Sequence, residues 1–171
     1  MREPMIDPTP LLTAPVHIQI HAAAAGLALI LGPVALYGRP GGGLHKATGY
    51  VWVGAMAVTA ISSFLIHDFG LIGPVSPIHL LSVLALWSLW TGLRQALAGR
   101  IRAHRLTMQS LYWRGLIVAG VFNFLPGRSM NRVFLDGRAD LGWLVVGLGV
   151  AAIGGDVLRR RLQRRRVAAI G

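Results

Sequence analysis

Five apolar runs, each about as long as a bilayer is thick, leave this chain few soluble options. They fall at about 16–37, 46–67, 78–97, 105–125 and 140–158, each near the ~20 residues that a hydrocarbon core requires. Unbroken apolarity over that length specifies helices rather than barrel strands. The connectors RPGGG, FGLIGPVSP, AGRIRAH and PGRSMNR are short and full of helix breakers, and no internal repeat is evident. With 54% hydrophobic and 13% charged residues, a chain of 171 residues cannot hide this surface in a soluble core. The expected fold is an all-α polytopic membrane protein, an up-down four-helix bundle plus a fifth transmembrane helix over 16–158. An outer N-terminal segment, 1–15, precedes it and a basic cytoplasmic tail, 159–171, follows.

The net charge of +11 does not point to nucleic acid, because the basic residues sit between and after the apolar runs rather than over a soluble face. Their distribution orients the chain instead. Arg39 and Lys46 lie between runs one and two, Arg100, Arg102 and Arg105 between three and four, and RRRLQRRR follows the fifth. The positive-inside rule then places the N-terminus outside and the C-terminus in the cytoplasm, with the tail against an anionic leaflet. MREPMIDPTPLLTAP lacks the basic start and short apolar stretch of a cleaved signal peptide. The Arg-, Ala- and Gly-rich composition suggests a bacterial inner membrane. Arg128, Arg132 and Arg138 fall on the outer side, where they meet lipid phosphates or an anionic ligand.

The absence of cysteine removes disulfides, thiolate metal sites, iron–sulfur clusters and covalent c-type haem. Any metal or haem must then be held by His, Met or oxygen. All six histidines lie in or at the ends of the apolar runs. His17 and His21 are four residues apart and share a helix face, above a stripe of Ala24, Ala25, Ala28 and Gly32. Those small residues permit close packing or room for a flat ligand. In an up-down bundle, runs one and three are diagonal, as are two and four. The histidines then define an outer site, His21 with His79, and an inner one, His45 with His104. His67, followed by Asp68, ends the second run. Arg114, about ten residues into the fourth, costs at least ~2.5 kcal/mol at mid-membrane. It is expected to face the bundle interior and bind a carbonyl, water or an anionic group on a cofactor. Trp52, Trp87, Trp90 and Trp113 are expected to fill the core or flank a cofactor.

At LHKATGYVWVGAM and RAHRLTMQSLYWRGLIVAGVFNFLPGR the sequence resembles a bacterial predicted-membrane-protein family, domain of unknown function 2306. That family has a His in its first span, then His-basic-x-x-Gly entering the second, here His45, Lys46 and Gly49. His-Arg-x-x-Met enters a later span, here His104, Arg105 and Met108. SPIHLLS, with His79, and Pro126 to Arg128 also fit, and the likeness covers about 16–135. Lys46 stands where Arg is commoner. The resemblance implies the fold and carries no activity. The two His pairs on four helices are similar in architecture to cytochrome b561-type di-haem membrane proteins, without a shared sequence motif.

Three functions are compatible with this pattern. The first is a b-type haem protein, with one or two haems on His21/His79 and His45/His104. Arg114 or Arg128 would then meet a propionate, and electrons would pass between an outer quinol or other small donor and a cytoplasmic acceptor. Such a protein is a membrane oxidoreductase. The second is a zinc or copper site at the outer face, built from His17, His21, His67 and His79. The third is a cofactor-free assembly subunit whose histidines make interhelical hydrogen bonds. A homodimer is compatible with all three.

Overall fold

The computed structural model describes residues 7–66, 77–135 and 137–168, and the described chain is helical throughout. After a single turn, α1 (Thr9–Leu12), come α2 (Val16–Tyr37), α3 (Gly43–Ser63), α4 (Pro77–Leu97) and α5 (Ile101–Ser110). A π-helical segment, π1 (Leu111–Ile117), continues α5, and α6 (Val118–Phe122), α7 (Ser129–Leu135) and α8 (Ala139–Ala168) follow. Two compact units result. One is Leu11–Ile117, and the other joins the residues before Leu11 to everything from Val118 on.

In the first unit α2 packs on α3, α3 on α4 and α4 on α5, while α5 and π1 return to α2. This ring of four helices places α2 opposite α4 and α3 opposite α5. The α2–α3 and α4–α5 connections are tight hairpins. Gly41 (φ +78°) and Gly99 (φ +71°) take the left-handed conformation in the α2–α3 and α4–α5 turns, which costs a residue without Cβ little.

The core of this unit is made by small residues on α2 receiving large ones from its neighbours. Ala28 is fully buried, and its carbonyl accepts the Trp52 indole N–H at 3.0 Å. Pro33 has no N–H to give the Leu29 carbonyl one turn earlier, and the Tyr112 hydroxyl donates to that carbonyl instead, at 3.2 Å. The Tyr112 ring lies over Gly32 in the space a Cβ would need. The small-residue stripe therefore serves close packing. Gly92 on α4 receives Met108 of α5 in the same way.

In the second unit α6 and α7 pack on α8. Asn131 is fully buried, and its amide donates to the Phe124 and Arg138 carbonyls, each at 3.1 Å. It thereby ties the end of α6 to the start of α8. Gly142 leaves room for that amide. The Asp7 N–H donates to the Val133 carbonyl at 3.0 Å and holds the N-terminal segment on α7.

Several expectations are met only in part. Two helices among the described residues, Val16–Tyr37 and His79–Leu97, have the length and apolarity to cross a membrane, against five apolar runs in the sequence. The fourth run is not one regular helix. The polar helix α5, IRAHRLTMQS, begins four residues before the run, and the winding changes to π at Leu111. The apolar part of α8, Ala139–Gly155, is shorter than a full span, and the helix continues through the basic residues to Ala168. Trp52 fills the core as expected. Trp87 and Trp90 do not: they lie 63% and 49% exposed on the outer face of α4.

Candidate functional site: histidines clamped by backbone carbonyls

The two hairpins place a histidine in the same way. His45, in the first turn of α3, has its Nδ1 2.9 Å from the carbonyl oxygen of Ala35 on α2. His104, in the first turn of α5, has its Nδ1 2.8 Å from the carbonyl oxygen of Gly92 on α4. A carbonyl can only accept, so Nδ1 carries the proton in both rings. In the neutral imidazole Nε2 then keeps a free lone pair. The Ala35 carbonyl belongs to the last turn of α2, where carbonyls lack helical partners, so the bond satisfies the helix end as well as the ring. Both histidines are half-buried, and they stand on α3 and α5, opposite corners of the ring.

His21 reaches the same state through a side chain. Its Nδ1 lies 3.0 Å from Ser62 Oγ on α3. That hydroxyl lies 2.7 Å from the Val58 carbonyl, and with its proton given there the histidine is the donor. The adjacent Ser63 donates to the Ala60 carbonyl at 2.7 Å and also bonds Ser82 of α4. Phe64, the next residue, stacks on His79 with ring centroids 5.6 Å apart and planes 9° from parallel. The end of α3 thus contacts both His21 and His79, at the end of the bundle away from His45 and His104.

The remaining candidates separate. His17 is half-buried one turn before His21. His67 and Asp68 lie outside the described residues. Among the described residues no three His, Asp or Glu side chains converge where a metal ion would sit. Arg114 does not face the interior. It is exposed on π1, where each residue advances less around the axis than in an α-helix, so the phase carried up from His104 fails there. The buried positions are Leu111, Tyr112 and Leu116. Trp113 beside it donates to the Tyr37 hydroxyl at 2.7 Å. Arg128 belongs to the second unit, in the turn before α7.

Sequence reasoning missed Ser62 and the two carbonyl clamps. A signal for the clamps was present. His-basic-x-Thr occurs twice, as His45-Lys46-Ala47-Thr48 and His104-Arg105-Leu106-Thr107, each time just after a glycine turn. The two hairpins repeat one device, although no repeat stands out along the whole chain. Thr107 adds a second tie, donating to Gln95 Oε1 of α4 at 2.9 Å.

No curated protein and no solved structure gives a significant match to this chain. Residues 18–152, which hold both hairpins and five of the six histidines, match the family described as predicted membrane protein, DUF2306, and the chain belongs to that family of membrane proteins.

Proposed function

We propose that this protein crosses the bilayer five times, holds b-type haem on histidines of opposite helices, and passes electrons across the membrane. The observation that supports this reading is the shared tautomer of His45 and His104. A histidine that ligates iron or another metal nearly always donates its other ring N–H to a carbonyl, a carboxylate or water, which fixes the ring and raises its basicity. Both histidines meet that condition on diagonal helices, and His21 meets it through Ser62 at the other end. Structural histidines need no common tautomer, whereas haem ligands need a free Nε2.

The donor set fits such a group: His45 and His104 each have one ring nitrogen that the carbonyl clamp does not use, and His21 with His79 is the second candidate pair. Arg105, next to His104 at the start of α5, is an exposed cation at that end and suits a propionate there. Arg128 and Arg132 are the corresponding outer candidates. Haem held by imidazoles accepts and releases one electron at a time. The outer electron donor is a quinol or a similarly small reductant, and the termini lie outside (N) and in the cytoplasm (C), as the loop charges require. The zinc or copper reading has less support, because His17, His21 and His79 lack a convergent set among the described residues.

The test is an absorption spectrum of the full-length protein purified from haem-replete cells. A Soret band that shifts on adding dithionite, and that is lost in H45A/H104A, is expected. A colourless preparation with no extractable haem overturns the proposal.

A further inference from the structure

The unit Leu11–Ile117 contains no carboxylate among its described residues, so none of its cations has an internal counter-ion there. Four of them, Arg94, Arg100, Arg102 and Arg105, gather at the α4–α5 turn, and all four are exposed. Arg94 does not project freely. Its guanidinium lies 4.9 Å from the centroid of the Trp90 ring, and Trp90 in turn packs on Trp87 at 5.0 Å. At the turn itself is an open groove of about 570 Å³, lined by Gly99, Arg100, Ile101, Arg102, Ala103 and Leu106.

We infer that the α4–α5 turn is a binding site for an anionic phospholipid, its phosphate held by Arg94, Arg100 and Arg102 and its acyl chains lying along Trp87 and Trp90. The chemistry is complementary at both ends. Trp rings belong at the headgroup level of a bilayer, and a guanidinium held over an aromatic face still presents N–H groups to a phosphate. Among the described residues of the unit no carboxylate competes for those donors. An aqueous anion would use the arginines but not the exposed indoles, and a protein partner is not needed to cover a face that lipid covers. The inference is independent of whether the histidines hold haem.

The experiment uses the full chain as W113F/W143F, in which Trp87 and Trp90 report from the surface and Trp52 is the buried control, 1% exposed. The protein is reconstituted in phosphatidylcholine vesicles with a minority of brominated lipid, either phosphatidylglycerol or phosphatidylcholine. At equal bromine content, the anionic lipid is expected to be enriched severalfold at the indoles and to quench them correspondingly more, since each basic residue near the surface contributes about 1 kcal/mol. In R94Q/R100Q/R102Q the excess disappears while quenching by brominated phosphatidylcholine stays, which shows that the fold is kept. Equal quenching by the two lipids in the parent protein overturns the inference. So does an excess that survives the triple substitution, or one abolished by millimolar inorganic phosphate, which would identify a soluble-anion site.

Discussion

His104 Nδ1 and the Gly92 carbonyl oxygen stand 2.8 Å apart, repeating across one hairpin what His45 and Ala35 do at 2.9 Å across the other. The bond uses one ring nitrogen and leaves the other free, so structural and ligating roles can be separated by substitution. The amide nitrogen of Asn takes the place of Nδ1, and Asn has nothing at Nε2. H104N should keep most of the stability that H104A loses, on the order of 1 kcal/mol for one hydrogen bond. On the proposed haem reading, both should also lose the Soret band. Thermal unfolding in detergent, read beside the Soret band, checks this. An H104N protein with an intact Soret band would remove His104 from the ligand set.

Gly32 gives a second test with an unusual sign. Replacing a mid-helix Gly by Ala ordinarily stabilises by roughly 0.5–1 kcal/mol. Here the Tyr112 ring occupies the space of the new methyl, and Tyr112 is 5% exposed and tied by its hydroxyl to the Leu29 carbonyl, so it must break that bond to give way. Overpacking of this kind costs about 1–3 kcal/mol, so it exceeds the gain, and G32A should destabilise. In a Y112A background the same change should become neutral or stabilising. A double-mutant cycle on thermal stability measures the coupling.

Asn131 makes the second unit sensitive to one amide. N131A removes the donor of the Phe124 carbonyl, while the Arg138 carbonyl keeps only the Gly142 N–H, at a cost of about 1–3 kcal/mol for a buried group left unpaired. The connection from α6 to α8 should open locally. Trypsin should cut after Arg128, Arg132 or Arg138 faster in the variant than in the parent protein, under conditions where cleavage within Leu11–Ile117 is unchanged.

Asp7 predicts an acid response at the N-terminus. Thr9 donates to its carboxylate, with the backbone N–H 2.9 Å from Oδ1, and these bonds hold the carboxyl below the ordinary aspartate range. A depressed folded value means that the bond is fully present above the unfolded value and is lost as pH falls through the folded one. The Asp7 carboxyl carbon, followed by NMR, should titrate at lower pH than in T9A. An unchanged midpoint would show that the turn does not persist in solution.

The sequence made the helices legible wherever apolarity was continuous. Val16–Tyr37 coincides with its apolar run, and α4 nearly so. Failure came where two signals disagreed. Residues 101–110 are polar enough to weaken the fourth run, yet they carry the second His-basic-x-Thr and lie in a packed helix. The inward placing of Arg114 assumed 3.6 residues per turn through a segment that winds more widely, and no residue in LYWRGLI announces that change. The exposed Trp87 and Trp90 follow the same lesson. In a membrane protein an apolar face is no sign of the core, because lipid also rewards it. The histidine clamps were hidden for a different reason: their acceptors are backbone carbonyls, which every residue possesses, so no side-chain pattern marks them.

Trp52 and Tyr112 close the waist of the four-helix ring against α2, between His21 toward one end and His45 with His104 toward the other. Some fourteen residues of α2 separate His21 from Ala35, about 21 Å of helix at 1.5 Å per residue. The middle of the ring is therefore a packed aromatic layer, and the histidines at its two ends belong to separate neighbourhoods: a substitution at one end is not in contact with the other.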